Sequence, residues 1–289
     1  LTLASPVPLL PDASVLASRD LLFALPLGLA GLATLRFGLL RGAGRALPEP
    51  SRRAWRRALG GAAAALAMLL ACLLPPFAAG AFRPGAPAWD SFTPAPSNAS
   101  LAAAPASFVF FVVQALVEEL LFRAALFTLL AVLALGVARL LRGRLPGRDD
   151  PAGLRRFGRR WLVAGLVANA GQATGFAVLH AGNPHVTPLA LVNIGLAGAV
   201  IGWLFWSGGG LAGAWAFHAL WNWGLSALGL PVSGMALGAP LVAAGIAGAG
   251  RPLLSGGAFG PEGSAVATLA LAALLAALVA RSARRLPTG

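Results

Sequence analysis

The sequence predicts an all-α polytopic membrane protein, a bundle of about seven to eight transmembrane helices with a site in the bundle core. Three observations carry this. Of the 289 residues, 58% are hydrophobic and only 11% charged, whereas a soluble domain carries about 25% charged residues. Seven apolar runs approach the length of about 20 residues that a helix needs to cross the hydrocarbon. The basic residues, all of them arginine, gather between those runs.

The runs fall near 21–40, 58–80, 106–138, 161–180, 187–206, 211–229 and 264–280. Arg36 sits in the first, close enough to its end to snorkel. The third is long for one span, so an eighth span or a re-entrant piece has room there. The segments 41–57 and 139–160 and the tail from Arg281 hold 17 of the 22 arginines. The segments 82–100, 181–186 and 230–263 hold only Arg83 and Arg251. The positive-inside rule puts the arginine-rich group in the cytoplasm. The N-terminus is then outside and the C-terminus cytoplasmic, in the cell membrane. The Gly- and Pro-rich stretch 231–263 reads as a long outer loop, and residues 1–289 as a single integral-membrane domain.

Composition also excludes function classes. Cys72 is the only cysteine, so no intramolecular disulfide forms and redox chemistry is not expected. The net charge of +13 is explained by membrane orientation and headgroup contact, so no nucleic acid partner is expected. Residues 1–20 lack a basic n-region, and no signal peptide is expected there.

Ionisable groups inside a membrane mark function by default. Within the runs they are Glu118, Glu119, Arg123, His180 and His218, in VEELLFR (117–123), FAVLH (176–180) and FHALWN (217–222). Glu119 and Arg123 are spaced i,i+4 and meet on one helix face, a structural ion pair. Glu118 points about 100° away, on the face of Gln114. Gln172, Phe176 and His180 recur every four residues along one stripe. His218 and Asn222 again lie i,i+4. A carboxylate, two imidazoles and a carboxamide from three spans suit hydrolysis. Glu118 takes a proton from water, His180 helps hold that water, and His218 with Asn222 donate to the oxyanion. Phe176 reads as packing, and Asn169, Gln172 and Asn193 as interhelical hydrogen bonds. Asn183 and His185 read as solvated, and Glu262 as a turn residue.

EELLFR, FAVLH and HALWN resemble the three motifs of the CPBP family (CAAX proteases and bacteriocin-processing enzymes, also called Abi proteins). Its pattern is E-E-x-x-x-R, F-x-x-x-H and H-x-x-x-N or -D, here in order on separate apolar helices. The stretch GLAGAVIGWLFWSGGGLAGAWAF (195–217) is also similar to the run before the family's last motif. The resemblance covers roughly 105–228. It implies an intramembrane endopeptidase acting on a membrane-anchored protein or peptide. By it, Glu118 matches the catalytic glutamate, His180 the second motif's histidine, and His218 with Asn222 the last motif.

Two other readings use the same residues. A non-catalytic immunity protein or a transporter would employ the charges as a relay. A zinc-dependent peptidase would ligate its metal through Glu118, His180 and His218, although no HExxH is present. The preferred reading has no cofactor, with zinc as the alternative.

Overall fold

Apolar runs of this length fold as helix because a backbone that leaves water must pair its own N–H and C=O groups. A computed structural model describes residues 50–84, 98–142, 151–208, 210–237, 240–241, 244–246 and 251–284. Helix α1 spans Pro50–Ala78 and strand β1 Phe82–Pro84. Helix α2, Asn98–Glu119, continues without a break into a π-helical segment, Leu120–Phe127, and then into α3, Thr128–Arg142. Next come α4 (Pro151–Leu179), α5 (Pro188–Gly208) and α6 (Leu211–Ala227). Strand β2 (Ala244–Ile246), a one-turn helix α7 (Pro252–Ser255) and two 3-10 turns (Gly257–Phe259 and Pro261–Gly263) precede α8, Ala265–Arg284. The strands pair antiparallel, with Phe82 opposite Ile246.

The expected count of seven to eight spans is corrected. Among the described residues, five helices are long and apolar enough to cross a membrane: Ala54–Ala78, Ala103–Ala138, Arg160–Leu179, Pro188–Ser207 and Ala265–Arg284. The run at 21–40 lies outside the described residues. The run at 211–229 yields a helix of 17 residues, ten of them buried, so neighbouring helices rather than lipid surround it. The long run at 106–138 is one continuous helix and supplies no eighth span. The helices carry exposed leucines and valines, among them Leu66, Leu70, Leu129, Leu133 and Val167, as surfaces that face lipid do.

Helix α6 is the centre of the bundle, packed on α1, α2 and α5. It runs parallel to α1, because Gly213 meets Gly61 near one end and Gly224 meets Leu69 further along. A Cβ on Gly61 would collide with the Gly213 backbone, so this glycine pair lets the two helices approach closely. Gly210 and Gly213 both face Arg57. Helix α6 therefore starts level with Arg57. Eight residues, about 12 Å of helix, then bring His218 about halfway along the Ala54–Ala78 span. Glu118 and Glu119 lie near the middle of Ala103–Ala138.

Polar side chains tie the remaining helices. Asn169 Nδ2 donates to Ala199 O (2.9 Å) and Gln172 Nε2 to Gly198 O (2.9 Å), joining α4 to α5. Asn193 Nδ2 donates to the carbonyls of Glu262 (2.7 Å) and Ser264 (2.8 Å), joining α5 to the start of α8. Trp203 Nε1 donates to Ser282 Oγ (3.1 Å) near the other end of the same pair.

Candidate active site

The double-glutamate motif sits where α2 passes into the π-helical segment. Glu119 and Arg123 are both fully buried, with Oε1 3.0 Å from Nη1. Arg123 Nη2 also donates to Gly198 O (3.3 Å), and its guanidinium lies 4.8 Å from the centre of the Phe176 ring. A buried arginine thus has a carboxylate, a carbonyl and an aromatic face.

Glu119 has a second role that local spacing did not reveal. His218 Nδ1 lies 2.8 Å from its Oε1, across 99 residues of sequence. A carboxylate facing one ring nitrogen places the proton there and fixes the ring's orientation. The other nitrogen, Nε2, then faces Glu118 Oε2 at 3.7 Å. That is too long for a hydrogen bond. Glu118 Oε2 is buried and has no hydrogen-bond partner among the described residues.

Gln114, one turn before Glu118, donates from Nε2 to Glu118 Oε1. Its Oε1 accepts from Asn222 Nδ2 (3.0 Å). The amide thereby links the last motif to the first glutamate. Glu118 is 26% exposed while Glu119 is fully buried. The two adjacent carboxylates are therefore differently placed, one toward an opening and one locked in the core.

His180 lies one residue past the end of α4. Its Nδ1 is 2.7 Å from Phe176 O, and its ring packs on Phe176 at 4.5 Å. Phe176 also meets His218 edge-on at 6.0 Å and Phe122 at 5.0 Å. The packing residue of the second motif is thus the surface shared by Arg123 and both imidazoles. The structure brings Glu119, Arg123 and His218 together by direct polar contacts, sets Glu118 3.7 Å from His218, and ties Asn222 to Glu118 through Gln114. It joins His180 to them only through Phe176. Contacts of Phe122 with Phe176 and Leu126 with Gly175 set α4 antiparallel to the π-helical segment. One further turn places His180 at the level of Glu118.

The zinc arrangement does not fit this donor set. Among the described residues no three His, Cys, Asp or Glu side chains form a metal-holding group.

Two expectations about the segments that follow His180 and α6 change, and a third is extended. Asn183 is half-buried and donates to Ser233 O (2.9 Å), so it is a connector and not a solvated residue. The stretch 231–263 is folded where it is described: Val232 and Met235 bridge, and Leu230, Val232 and Phe259 are buried. Glu262 is a turn residue, as expected, in the 3-10 turn Pro261–Gly263, but it is also buried and accepts from Trp221 Nε1 at 2.9 Å.

Residues 100–224 match a family model described as Type II CAAX prenyl endopeptidase Rce1-like. No curated protein and no solved structure matches. The matched segment holds all three motifs, from Glu118 through Asn222. Over this core region the chain is similar to the Rce1-like CAAX protease (Abi/CPBP) family.

Proposed function

We propose that this protein is an intramembrane endopeptidase that hydrolyses a peptide bond of a membrane-anchored protein or peptide, within or beside the bilayer. The observation that carries the reading is the gap between Glu118 Oε2 and His218 Nε2, 3.7 Å wide, around a buried carboxylate oxygen with no partner. Buried polar atoms are rarely left unpaired unless function uses them. A water seated beside the two groups, donating to Glu118 Oε2, would pair that oxygen and meet His218 Nε2 as well.

In this mechanism Glu118 takes a proton from water as the water oxygen attacks the amide carbon. The carbonyl oxygen gains the displaced electron pair. His218, with one N–H held by Glu119 and a second N–H at Nε2 as this role requires, and the second N–H of Asn222 stabilise that oxyanion. The tetrahedral intermediate then collapses, the C–N bond breaks, and Glu118 returns its proton to the leaving amine. His180 holds the attacking water through Nε2, because its Nδ1 is engaged with Phe176 O. Arg123 pairs Glu119 in a place where an unpaired carboxylate would be unstable. No metal enters any step.

The arginine distribution supports a cytoplasmic C-terminus and an outer position for the α4–α5 turn that follows His180. The test is cleavage of single-span reporter proteins co-reconstituted in proteoliposomes, comparing wild type with Glu118→Gln. The variant should lose about 10²–10⁴-fold in rate. Equal cleavage by both proteins would remove the mechanism. Ion flux that requires Glu118, without cleavage, would favour a transporter.

A further inference from the structure

Helices α4 and α6 carry the two halves of the site's histidine chemistry, yet no hydrogen bond joins His180 to His218 among the described residues. A path between them runs outside the segment that matches the family. Glu262 Oε1 accepts from Trp221 Nε1 (2.9 Å), and Trp221 lies between His218 and Asn222 on α6. Glu262 Oε2 accepts from the backbone N–H of Ser233 and from its Oγ (3.3 Å). Ser233 O in turn accepts from Asn183 Nδ2 (2.9 Å), three residues past His180.

The surroundings hold this path rigid. Gly234, at φ +83°, sits so near Pro184 O and the Phe259 ring that a side chain would not fit. Phe259 is buried in one apolar cluster with Phe122 and Phe176. The whole turn at 232–235 is therefore seated on the loop that carries His180. Glu262 is only 6% exposed, and its described partners are neutral donors. A buried carboxylate with neutral partners only is expensive to keep, and nothing in the proposed hydrolysis uses it.

We propose that Glu262 is a positioning residue that holds the His180 turn in register with His218 and Asn222. Its two oxygens reach one element each, so a single rigid group sets their separation. The inference rests on the peptidase reading for its effect on rate, but not for its effect on geometry.

The test has two arms. In proteoliposomes with a single-span reporter, Glu262→Ala should lower kcat about 10-fold or more with KM within about twofold of wild type, since only placement of reacting groups is lost. Trp221→Phe and Asn183→Ala each cut one link. Combined with Glu262→Ala, they should add little further loss, as members of one network do. In the second arm, spin labels at Gly182→Cys and Leu228→Cys, in a Cys72→Ala background, report the separation of the two elements by dipolar spectroscopy. Gly182 has open space for a side chain. The distance distribution should broaden in Glu262→Ala and in the milder Glu262→Gln. A wild-type distribution in both variants overturns the proposal. So does wild-type kcat in Glu262→Ala when Glu118→Gln is inactive. Full activity of Glu118→Gln would instead overturn the peptidase reading and leave the distance arm to decide on Glu262.

Discussion

Glu119→Gln separates two roles held by one carboxylate. The wild-type group lies 3.0 Å from Arg123 and 2.8 Å from His218, with Glu119 and Arg123 fully buried. Breaking a buried pair by removing one partner costs about 3–5 kcal/mol. Arg123 keeps Gly198 O and the face of Phe176, so the lower end applies, about 3 kcal/mol. At about 2–4 °C per kcal/mol for a chain of this class, Tm should fall by roughly 6–12 °C. Activity should fall separately, by about 10²-fold or more, because the amide no longer holds the His218 ring with its Nε2–H turned to the oxyanion. The assay pairs thermal unfolding in detergent with reporter cleavage. The double variant Glu119→Gln/Arg123→Met is the control. Replacing a buried ion pair by a less polar pair is often near neutral, so stability should recover while activity stays low. Recovery of both would show that Glu119 acts on Arg123 alone and refute its role on His218. An unchanged Tm in Glu119→Gln would refute the buried pair itself.

Further outcomes follow from the same geometry. Asn222→Ala should reduce kcat by about 10–10³-fold with a smaller change in KM, as loss of an oxyanion donor does, measured by initial rates over a range of reporter density. Phe176→Ala should destabilise by about 3–5 kcal/mol, since its ring supports Arg123 and both imidazoles, and circular dichroism melts check this. Gly61→Val should impair folding or shift Tm sharply downward, because its Cβ would strike the Gly213 backbone, and size-exclusion profiles with melts would show it. Chelator should leave reporter cleavage unchanged, because Glu118 and the histidines carry the proton chemistry.

Much of the helical layout was legible because periodicity and apolar run length are local properties. The Glu119–Arg123 pair and the Gln114–Glu118 contact each span four residues, so helix geometry alone places them. The span count was less legible. Hydropathy shows that 211–227 is apolar, but not whether lipid or protein surrounds it, and its burial decides that. The bond from Glu119 to His218 spans 99 residues, and no spacing rule reaches that far. Glu262 was hidden for the same reason. Its partners, Trp221 and Ser233, come from α6 and the 232–235 turn, and its Gly-rich neighbourhood resembles any turn. The usable signal was its isolation as the only acid in an otherwise apolar segment.

The central claim is that Glu118 activates water for attack on an amide beside His218. It is tested most directly by cleavage of a membrane reporter in ¹⁸O-labelled water, with mass spectrometry of the new C-terminus. The account predicts one labelled oxygen per cleaved bond in wild type, and no product above background from Glu118→Gln. Labelled product from Glu118→Gln at the wild-type rate would contradict it.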